Sequence, residues 1–441
     1  MEREIYGKLL EWKASPQRKP LILNGARQTG KTWILKEFGK KEYRHLAYIS
    51  CDNNPDMQNV FTDFNPDRLI RVFSAITETA ITKGDTLIVL DEIQEVPLGL
   101  TALKYFCESA PDYHIAVAGS LLGLNSHKGS GFPVGKVDEL NLYPLSFREF
   151  LMALGKNALL DFIVTHRWEE YSVLKDSFRD LLTQYYYTGG MPEVVDLYAR
   201  TKDIPEVRKI QNRILHDYRR DFSKHVPAGL LPKVNLVWDS IPSQLAKENK
   251  KFVYGMIRKG SRAKDFEDAI QWLIDAGLVY KVNRTKKIQK PLKFYEDFSA
   301  FKLFLSDLGL LGAMSDVPAK DILLGSRALV EYKGAFTEQY VNQQIVACGI
   351  KPYYYTNENS TLEIDFVVQT EAVHPVEVKA KENLKSKSLQ SVRRENEEMT
   401  AWRFSMSDYR DQRWLVNVPL YLVQEWLLCT EKDRPGDGSP S

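Results

Sequence analysis

The sequence contains little cysteine and no local metal-binding spacing. Its 441 residues include four cysteines and seven histidines. No two cysteines form a CxxC pair, and no histidine stands at the spacing of a zinc-binding motif. These absences argue against a disulfide framework and against a zinc site. We expect the cysteines to be buried thiols in a reducing compartment. They are Cys51, Cys107, Cys348 and Cys429.

Long apolar runs and a charge excess are also missing. No apolar run approaches the ~20 residues of a membrane-spanning helix, and the start Met1-Glu2-Arg3-Glu4 carries no signal-peptide pattern. The 60 Lys and Arg residues nearly balance the 58 Asp and Glu residues, which disfavours a nucleic-acid coat protein but leaves local basic patches open. We expect a soluble, cytoplasmic protein of about three domains, with no membrane partner.

The predicted fold class is α/β, with several modules along the chain. Residues 1–150 alternate short apolar runs with helical stretches, a pattern typical of a parallel sheet flanked by helices. Residues 151–228 show helical periodicity and are predicted to form a lid. Residues 229–298 place helices before a basic hairpin, which suggests a winged helix. Residues 299–430 combine a helix with strands, and the tail 431–441, rich in Pro, Gly and Ser, is predicted to be disordered.

Individual elements follow from the same patterns. The strands predicted in the first module are Pro20–Asn24, His45–Ser50, Thr86–Leu90, His114–Ala118 and Glu139–Leu142. The elements predicted in the winged-helix region are helices near Ser243–Lys250 and Ala263–Ala276 and strands at Leu278–Val282 and Leu292–Tyr295. The elements predicted after it are a helix at Ala335–Cys348 and strands at Tyr353–Thr356, Ile364–Gln369 and Val376–Lys379.

A phosphate-binding motif directly follows the first predicted strand. The pattern GxxxxGK[ST] is complete, and its backbone N–H groups and the following helix N-terminus would surround phosphates. Lys31 is predicted to reach the β- and γ-phosphates of ATP, and the Thr32 hydroxyl to bind Mg²⁺. The residues of the motif are Gly25, Ala26, Arg27, Gln28, Thr29, Gly30, Lys31 and Thr32.

Two further strands end in polar residues that complete this site. The strand Thr86–Leu90 is followed by Asp91, a predicted Mg²⁺ ligand, and by Glu92, which could polarise the attacking water. An acid beside the metal-binding aspartate favours hydrolysis over binding alone. Ser120 follows the strand His114–Ala118 and is a candidate γ-phosphate sensor. A simple turn at Gly-Ser is the alternative for that residue.

The motif pair resembles that of AAA-type ATPases. Family-like runs at residues 119–120, 143–150 and 189–194 extend the similarity to a group of prokaryotic ATPases, in which an AAA-type core is fused to a winged helix and a restriction-endonuclease-like domain. The resemblance implies an ATP-dependent homo-oligomer. Lys136 stands where the group often has arginine and cannot make arginine's bidentate fork. Arg148 is the next candidate for a trans-acting arginine, and a salt bridge to a glutamate is the alternative.

A second candidate site lies in the last module. Asp365, Glu377 and Lys379 occur in the order D…ExK, which resembles the endonuclease-like superfamily, and Glu338 matches the acidic residue that some members contribute from a helix. Residues two apart in a strand share a face, so Glu377 and Lys379 would project together. The resemblance implies that the three carboxylates bind Mg²⁺ and that the site activates a water. A solvated strand with alternating charges is the alternative.

Basic residues concentrate between positions 245 and 290. The stretch Leu245–Lys264 has seven basic residues and one acidic residue, and Asn283–Lys290 adds four without an acid. On a winged helix these could neutralise DNA phosphates, whereas a solvated helix face is the alternative.

The leading hypothesis is an ATP-hydrolysing, Mg²⁺-dependent AAA-type ATPase. Its nucleotide state would control an attached DNA-binding module, with DNA cleavage as a further activity of the last module. Two alternatives stay open. One is a nucleotide-gated switch whose nuclease-like domain is catalytically silent, and the other is a remodeller of protein partners.

Overall fold

The chain folds into two compact units. The computed structural model describes residues 2–52, 54–96, 98–119, 132–323, 330–357, 359, 361–380 and 386–432. The N-terminal unit comprises Glu2–Tyr143 and Gln271–Leu278, and the C-terminal unit comprises Pro144–Ile270 and the chain from Val279 onward. Within these described ranges, no helix has both the length and the apolar character needed to cross a bilayer.

The N-terminal unit alternates strands and helices. Its strands are β1 (Leu21–Asn24), β2 (His45–Ser50), β3 (Thr86–Asp91), β4 (His114–Ala118) and β5 (Asp138–Asn141). Its helices are α1 (Ile5–Ala14), α2 (Lys31–Glu42), α3 (Pro66–Thr77) and α4 (Gly99–Ser109), and two 3₁₀ helices span Pro55–Thr62 and Ile93–Glu95. The five strands predicted for this region are therefore confirmed.

These five strands form one parallel sheet in the order β2-β3-β4-β1-β5. Every residue of β3 and β4 is buried, as expected for a parallel sheet covered on both faces. One face packs against Phe73 of α3 and Phe106 of α4, and the other packs against Leu9 of α1 and Phe38 of α2. The carboxyl ends of all five strands consequently meet at one edge of the sheet.

The C-terminal unit contains the remaining elements. Its first helices are α5 (Phe147–Ala153), α6 (Asn157–Ile163), α7 (Lys175–Thr188), α8 (Pro192–Thr201), α9 (Ile204–His225), α10 (Leu231–Leu245), α11 (Tyr254–Ile257) and α12 (Ala263–Asp275), the end of which is counted with the N-terminal unit. Its later helices are α13 (Leu308–Met314), α14 (Ala319–Leu323), α15 (Val330–Ala347), α16 (Lys387–Glu395) and α17 (Val423–Lys432). Three 3₁₀ helices span Glu170–Leu174, Leu292–Tyr295 and Leu420–Leu422.

A mixed eight-stranded sheet joins the C-terminal strands. The strands are β6 (Val279–Thr285), β7 (Glu296–Leu305), β8 (Tyr353–Thr356), β9 (Glu363–Gln369), β10 (Val373–Val378), β11 (Ala401–Ser405), β12 (Arg410–Asp411) and β13 (Leu415–Pro419). Their order is β12-β13-β11-β10-β9-β8-β6-β7. Strand β6 overlaps the first strand of the predicted basic hairpin. It pairs with β7 in antiparallel fashion and with β8 in parallel, so the hairpin β6–β7 continues this sheet. The predicted α/β class is confirmed, and the division into four modules stays a prediction.

Two element predictions in this region are wrong. Leu292–Tyr295 is a 3₁₀ helix and not a strand, and β7 begins only at Glu296. A short apolar run cannot distinguish a buried strand from a buried helical turn. The helix predicted near Ser243–Lys250 also fails, because α10 already ends at Leu245.

Two sequence runs that resembled the ATPase group meet in the C-terminal unit. The Leu145 N–H donates to Gly190 O over 2.6 Å, and the Gly190 N–H donates to Asp307 Oδ2. Asp307 also accepts from the Leu310 N–H at the start of α13, over 2.9 Å. Ser146 and Glu149 form a reciprocal capping box at the start of α5. The first run therefore caps α5, and the hydrogen bonds of Gly190 connect both runs to Asp307 at the start of α13.

Candidate functional site

The predicted phosphate-binding loop connects β1 to α2. Gly30 has a φ of 94° and caps the N-terminus of α2. A Cβ on Gly25 would lie 2.3 Å from the carbonyl oxygen of Leu142, so only glycine fits where the loop leaves the sheet. Arg27 is exposed and Gln28 is partly exposed at the tip of the loop. The motif thus folds as the strand–loop–helix arrangement that its sequence predicts.

Lys31 lies folded into the loop. Its Nζ donates to the carbonyl oxygens of Gly25 and Ala26, each over 2.8 Å. Burial lowers the pKa of Lys31 to about 8, while the charges of Glu92 and Asp91 act in the opposite direction. A bound anion beside the Lys31 ammonium would stabilise its charged form and so raise its pKa.

The Thr32 hydroxyl and the Asp91 carboxylate lie together, as predicted for a Mg²⁺ site. Thr32 Oγ1 donates to Asp91 Oδ2 over 2.7 Å. The Tyr48 hydroxyl donates to the same oxygen over 3.0 Å. A hydroxyl and a carboxylate are hard oxygen ligands that suit Mg²⁺. Thr32 and Asp91 are therefore of the ligand types that Mg²⁺ prefers, and their role as its ligands stays a prediction.

Glu92 follows the end of β3 in a left-handed backbone conformation, with φ 52° and ψ 43°. This conformation is uncommon for residues other than glycine and is found at functional sites. Its backbone N–H donates to Asp91 Oδ1 over 3.2 Å, and its Oε2 accepts a hydrogen bond from Gln94 Nε2. The hydrogen bond from Gln94 orients the Glu92 carboxylate.

Sequence reasoning missed three residues around the loop. Arg3 is buried and donates from Nη1 to Thr29 O over 2.9 Å and from Nη2 to Tyr143 O over 2.6 Å. Tyr48 contacts Asp91, as described above. Gly277 lies against the loop, where an added Cβ would be 3.1 Å from Ala26 N. None of them belongs to a local sequence motif, so only the tertiary contacts identify them.

Ser120, the predicted γ-phosphate sensor, lies outside the described residues. The preceding strand β4 stands between β3 and β1, and its last residue, Ala118, pairs with Asp91 and with Leu23. The sensor role therefore stays a prediction.

In the second candidate site, Glu338 lies among basic side chains in the C-terminal unit. Glu338 Oε1 is 2.6 Å from Lys250 Nζ, and its Oε2 is 3.6 Å from Lys302 Nζ. Lys302 is fully buried and is also 2.6 Å from Glu363 Oε1. Burial and the charge of Glu338 raise the pKa of Asp365 to about 7. The ion pairs with Lys250 and Lys302 neutralise the carboxylates of Glu338 and Glu363.

Glu377 and Lys379 project together, as predicted for alternate residues of a strand. Lys379 Nζ is 3.1 Å from Glu377 Oε1, and Arg403 Nε is 3.5 Å from Glu377 Oε2. Asp365 Oδ2 accepts from the Val378 N–H over 2.7 Å, which places β9 and β10 side by side at this point. Within the described ranges, however, the carboxylate oxygens of the three predicted ligands Glu338, Asp365 and Glu377 do not all lie within 4.8 Å of one another.

The basic region divides into internal and exposed residues. Lys250 pairs with Glu338, Arg284 Nε donates to Asp297 Oδ2 over 2.9 Å, and Lys247 Nζ donates to Gln244 Oε1 over 2.9 Å. The other basic residues of the two stretches are exposed, and we call them the basic surface: Lys251, Arg258, Lys259, Arg262, Lys264, Lys286, Lys287 and Lys290.

The protonation of Lys31 gives a testable pH dependence. The protein without nucleotide loses this proton as the pH rises through about 8, whereas bound phosphates would retain it. Above that pH, ATP binding should take up as much as about one proton, and affinity should fall as the pH rises. Calorimetry at about pH 9 in buffers of different ionisation enthalpy measures this uptake.

The variant Lys31→Arg separates this linkage from general effects, because arginine stays protonated throughout this range. Any binding that it retains should proceed without proton uptake. Lys40→Ala, an exposed lysine on the same helix, should behave as the wild type. Equal proton uptake by the wild type and Lys31→Arg would contradict the assignment.

Comparison with known families agrees with this geometry. Residues 17–151 match the model of an AAA domain. Residues 179–321 and 333–421 match two domains of unknown function, DUF8612 and DUF4143. No curated protein matches the chain significantly.

Solved structures similar to the chain include a Walker-type ATPase, an ORC1 protein and a Cdc6p protein. A Walker-type ATPase of Pyrococcus abyssi is 15% identical, with a TM-score of 0.44, over 71% of this chain and 95% of its own. The ORC1 protein of Aeropyrum pernix, solved in complex with DNA, is 15% identical, with a TM-score of 0.27, over 72% of this chain and 91% of its own. The Cdc6p protein of Pyrobaculum aerophilum is 12% identical, with a TM-score of 0.26, over 72% of this chain and 91% of its own.

The family matches and the site agree on one part of the chain. The AAA match covers β1 to β5, the phosphate-binding loop and the Asp91-Glu92 pair. An AAA domain implies ATP binding. This protein therefore carries an AAA-type ATPase domain at residues 17–151, and two domains of unknown function follow it.

Proposed function

We propose that this protein is a Mg²⁺-dependent ATP hydrolase. The observation that carries the proposal is the 2.7 Å hydrogen bond from Thr32 Oγ1 to Asp91 Oδ2. Lys31 and Glu92 are the adjacent residues in the sequence, and the charge of Glu92 acts on Lys31. Bound Mg²⁺ would neutralise charge on the phosphate oxygens. Thr32 and Asp91 would hold the ion, and the loop N–H groups from Gly25 to Thr32 would hold the phosphates.

Glu92 is the proposed catalytic base. Its carboxylate would orient the attacking water and take up its proton, while Lys31 would hold the γ-phosphate in place. The hydrogen bond from Gln94 supports this role because it fixes the carboxylate in one direction. Ser120 is retained as the proposed γ-phosphate sensor.

Steady-state ATP turnover with Mg²⁺ tests the hydrolase proposal. We expect Lys31→Ala to lose turnover through lost phosphate binding. Glu92→Gln should lose at least about a hundredfold in turnover because the amide cannot accept the proton, but it should still bind ATP. Asp112→Asn, an exposed acid in the same unit, serves as the control. Turnover within about twofold of the wild type in both site variants would contradict the proposal.

We further propose that nucleotide state controls a nucleic-acid contact on the basic surface. Eight exposed Lys and Arg side chains in the C-terminal unit support this proposal, because they can neutralise phosphates without reading the base sequence. Lys250 is excluded from this surface by its ion pair with Glu338. An ATP-dependent homo-oligomer, implied by the resemblance, is retained as part of the proposal.

A triple charge reversal tests this contact. Lys251→Glu, Arg258→Glu and Lys259→Glu together should weaken duplex DNA binding at low salt by at least about tenfold. The slope of log affinity against log salt should become shallower by as much as about three. Fluorescence anisotropy over a salt series gives both quantities.

The matched control applies the same charge change to exposed residues of the N-terminal unit, Lys8, Lys40 and Arg71. This control should bind DNA much more tightly than the triple variant does. If the wild type fails to bind DNA at low salt, the nucleic-acid proposal is wrong and a remodeller of protein partners is favoured.

The last module supports two functions. In the first, the module would cleave DNA with Asp365, Glu377 and Lys379, and Mg²⁺ would be held by the carboxylates, including Glu338. In the second, the protein would be a nucleotide-gated switch whose nuclease-like module is catalytically silent. The ion pairs of Glu338 with Lys250 and Lys302 favour the second, because the ammonium groups supply the positive charge that a metal would supply.

Plasmid nicking in the presence of Mg²⁺ or Mn²⁺ distinguishes these functions. For the silent module, we expect no metal-dependent nicking by the wild type and the same result for Asp365→Ala and Lys379→Ala. Nicking by the wild type that is lost in both variants, and kept in the exposed-site control Glu397→Ala, would establish cleavage instead.

A further inference from the structure

Three side chains with metal-binding atoms meet in the C-terminal unit, and none of them belongs to either site described above. His166 Nε2 lies 2.6 Å from Glu425 Oε1 and 3.1 Å from Cys429 Sγ. Among the described residues, this is the one group of three or more His, Cys, Asp or Glu side chains whose ligand atoms all lie within 4.8 Å of one another. We call it the His-Glu-Cys cluster.

The cluster is assembled by the fold and not by local spacing. Glu425 and Cys429 lie one helical turn apart on α17, so their side chains share a face of that helix. His166 follows α6 and is 259 residues from Glu425 along the chain. The absence of a CxxC pair and of a zinc-type histidine spacing therefore does not exclude a site of this kind.

Neighbouring side chains hold the ligands in place. Arg148 pairs with Glu425 Oε2, which leaves Oε1 as the oxygen that faces His166. The His166 ring stacks on Trp168, with ring centroids 5.6 Å apart and an interplanar angle of 5°. Outer contacts of this kind orient ligands in protein metal sites. Glu425 is buried, whereas His166 is exposed and Cys429 is partly exposed, so an ion can enter from solvent.

We propose that the His-Glu-Cys cluster binds one zinc-class transition-metal ion. The ligands would be His166 Nε2, Glu425 Oε1 and Cys429 Sγ. A nitrogen, a thiolate sulfur and one carboxylate oxygen suit Zn²⁺, which is commonly held by four ligands, and do not suit Mg²⁺ or Ca²⁺. Water would complete the coordination. The Cys429 thiol gives up its proton to the buffer on binding, so the bound form has a thiolate and a neutral imidazole.

The bound ion would connect two distant segments of the unit. It would join α17 to the segment after α6 and so close a loop of more than 250 residues. Because the ion binds the folded arrangement only, zinc should raise the midpoint of thermal unfolding. This inference is independent of the ATPase proposal, since neither Lys31 nor Asp91 takes part.

Cobalt(II) is the probe, because thiolate ligation gives it a near-ultraviolet charge-transfer band. Metal-stripped, full-length protein without nucleotide or Mg²⁺ should bind about one equivalent of Co²⁺ with this band, and Zn²⁺ should displace it. Cys429→Ser should lose the band, and His166→Gln should bind Co²⁺ at least about tenfold more weakly. Cys107→Ser, a partly exposed cysteine outside the cluster, should keep the band.

The wild type and the Cys429→Ser variant each give a result that can overturn the proposal. If no charge-transfer band forms with Co²⁺, or if the band persists in Cys429→Ser, the cluster is not the metal site. Circular dichroism shows whether the variants are folded. A rise in the unfolding midpoint with Zn²⁺ in the wild type and in Cys107→Ser, but not in Cys429→Ser, would support the proposal by a second measurement. An equal rise in all three proteins would overturn it.

Discussion

The hydrogen bond between the Thr32 hydroxyl and the Asp91 carboxylate depends on the geometry of the whole N-terminal sheet. Thr32 lies at the carboxyl edge of the sheet because the loop after β1 leads into α2 there. Asp91 lies at the same edge because it is the last residue of β3. These strands are not neighbours, since β4 lies between them. Parallel pairing in register is what brings their ends to one edge, and burial on both faces keeps the strands in that register.

Charge neutralisation governs the second candidate site in a different way. Glu338 and Glu363 share the buried Lys302, and Lys250 contacts Glu338 from the segment after α10. Removing one member of such a buried group leaves an uncompensated charge, so the lysines and carboxylates constrain one another. Burial and the charge of Glu338 raise the pKa of Asp365, and the charges of Lys302 and Lys250 act in the opposite direction.

Much of the N-terminal site could be predicted because its information is local. The residues Gly25–Thr32 and the strand before Asp91 specify a loop and a buried strand through short-range sterics and burial. Arg3 and Tyr48 could not be found in this way, since each reaches the site across the fold from a segment without a motif. The short apolar run Leu292–Tyr295 predicts a strand but forms a 3₁₀ helix, because such a run satisfies either a strand or a helical turn.

The sequence by itself determined that this chain has an α/β core with a phosphate-binding loop and a carboxylate pair, because each depends on neighbouring residues. Only the tertiary structure decided which basic residues face solvent, that β6 and β7 continue the C-terminal sheet, and that His166 meets Glu425 and Cys429. These outcomes depend on contacts between residues far apart in the chain. Local periodicity contains no information about such partners, because the pairing is set by how whole elements pack.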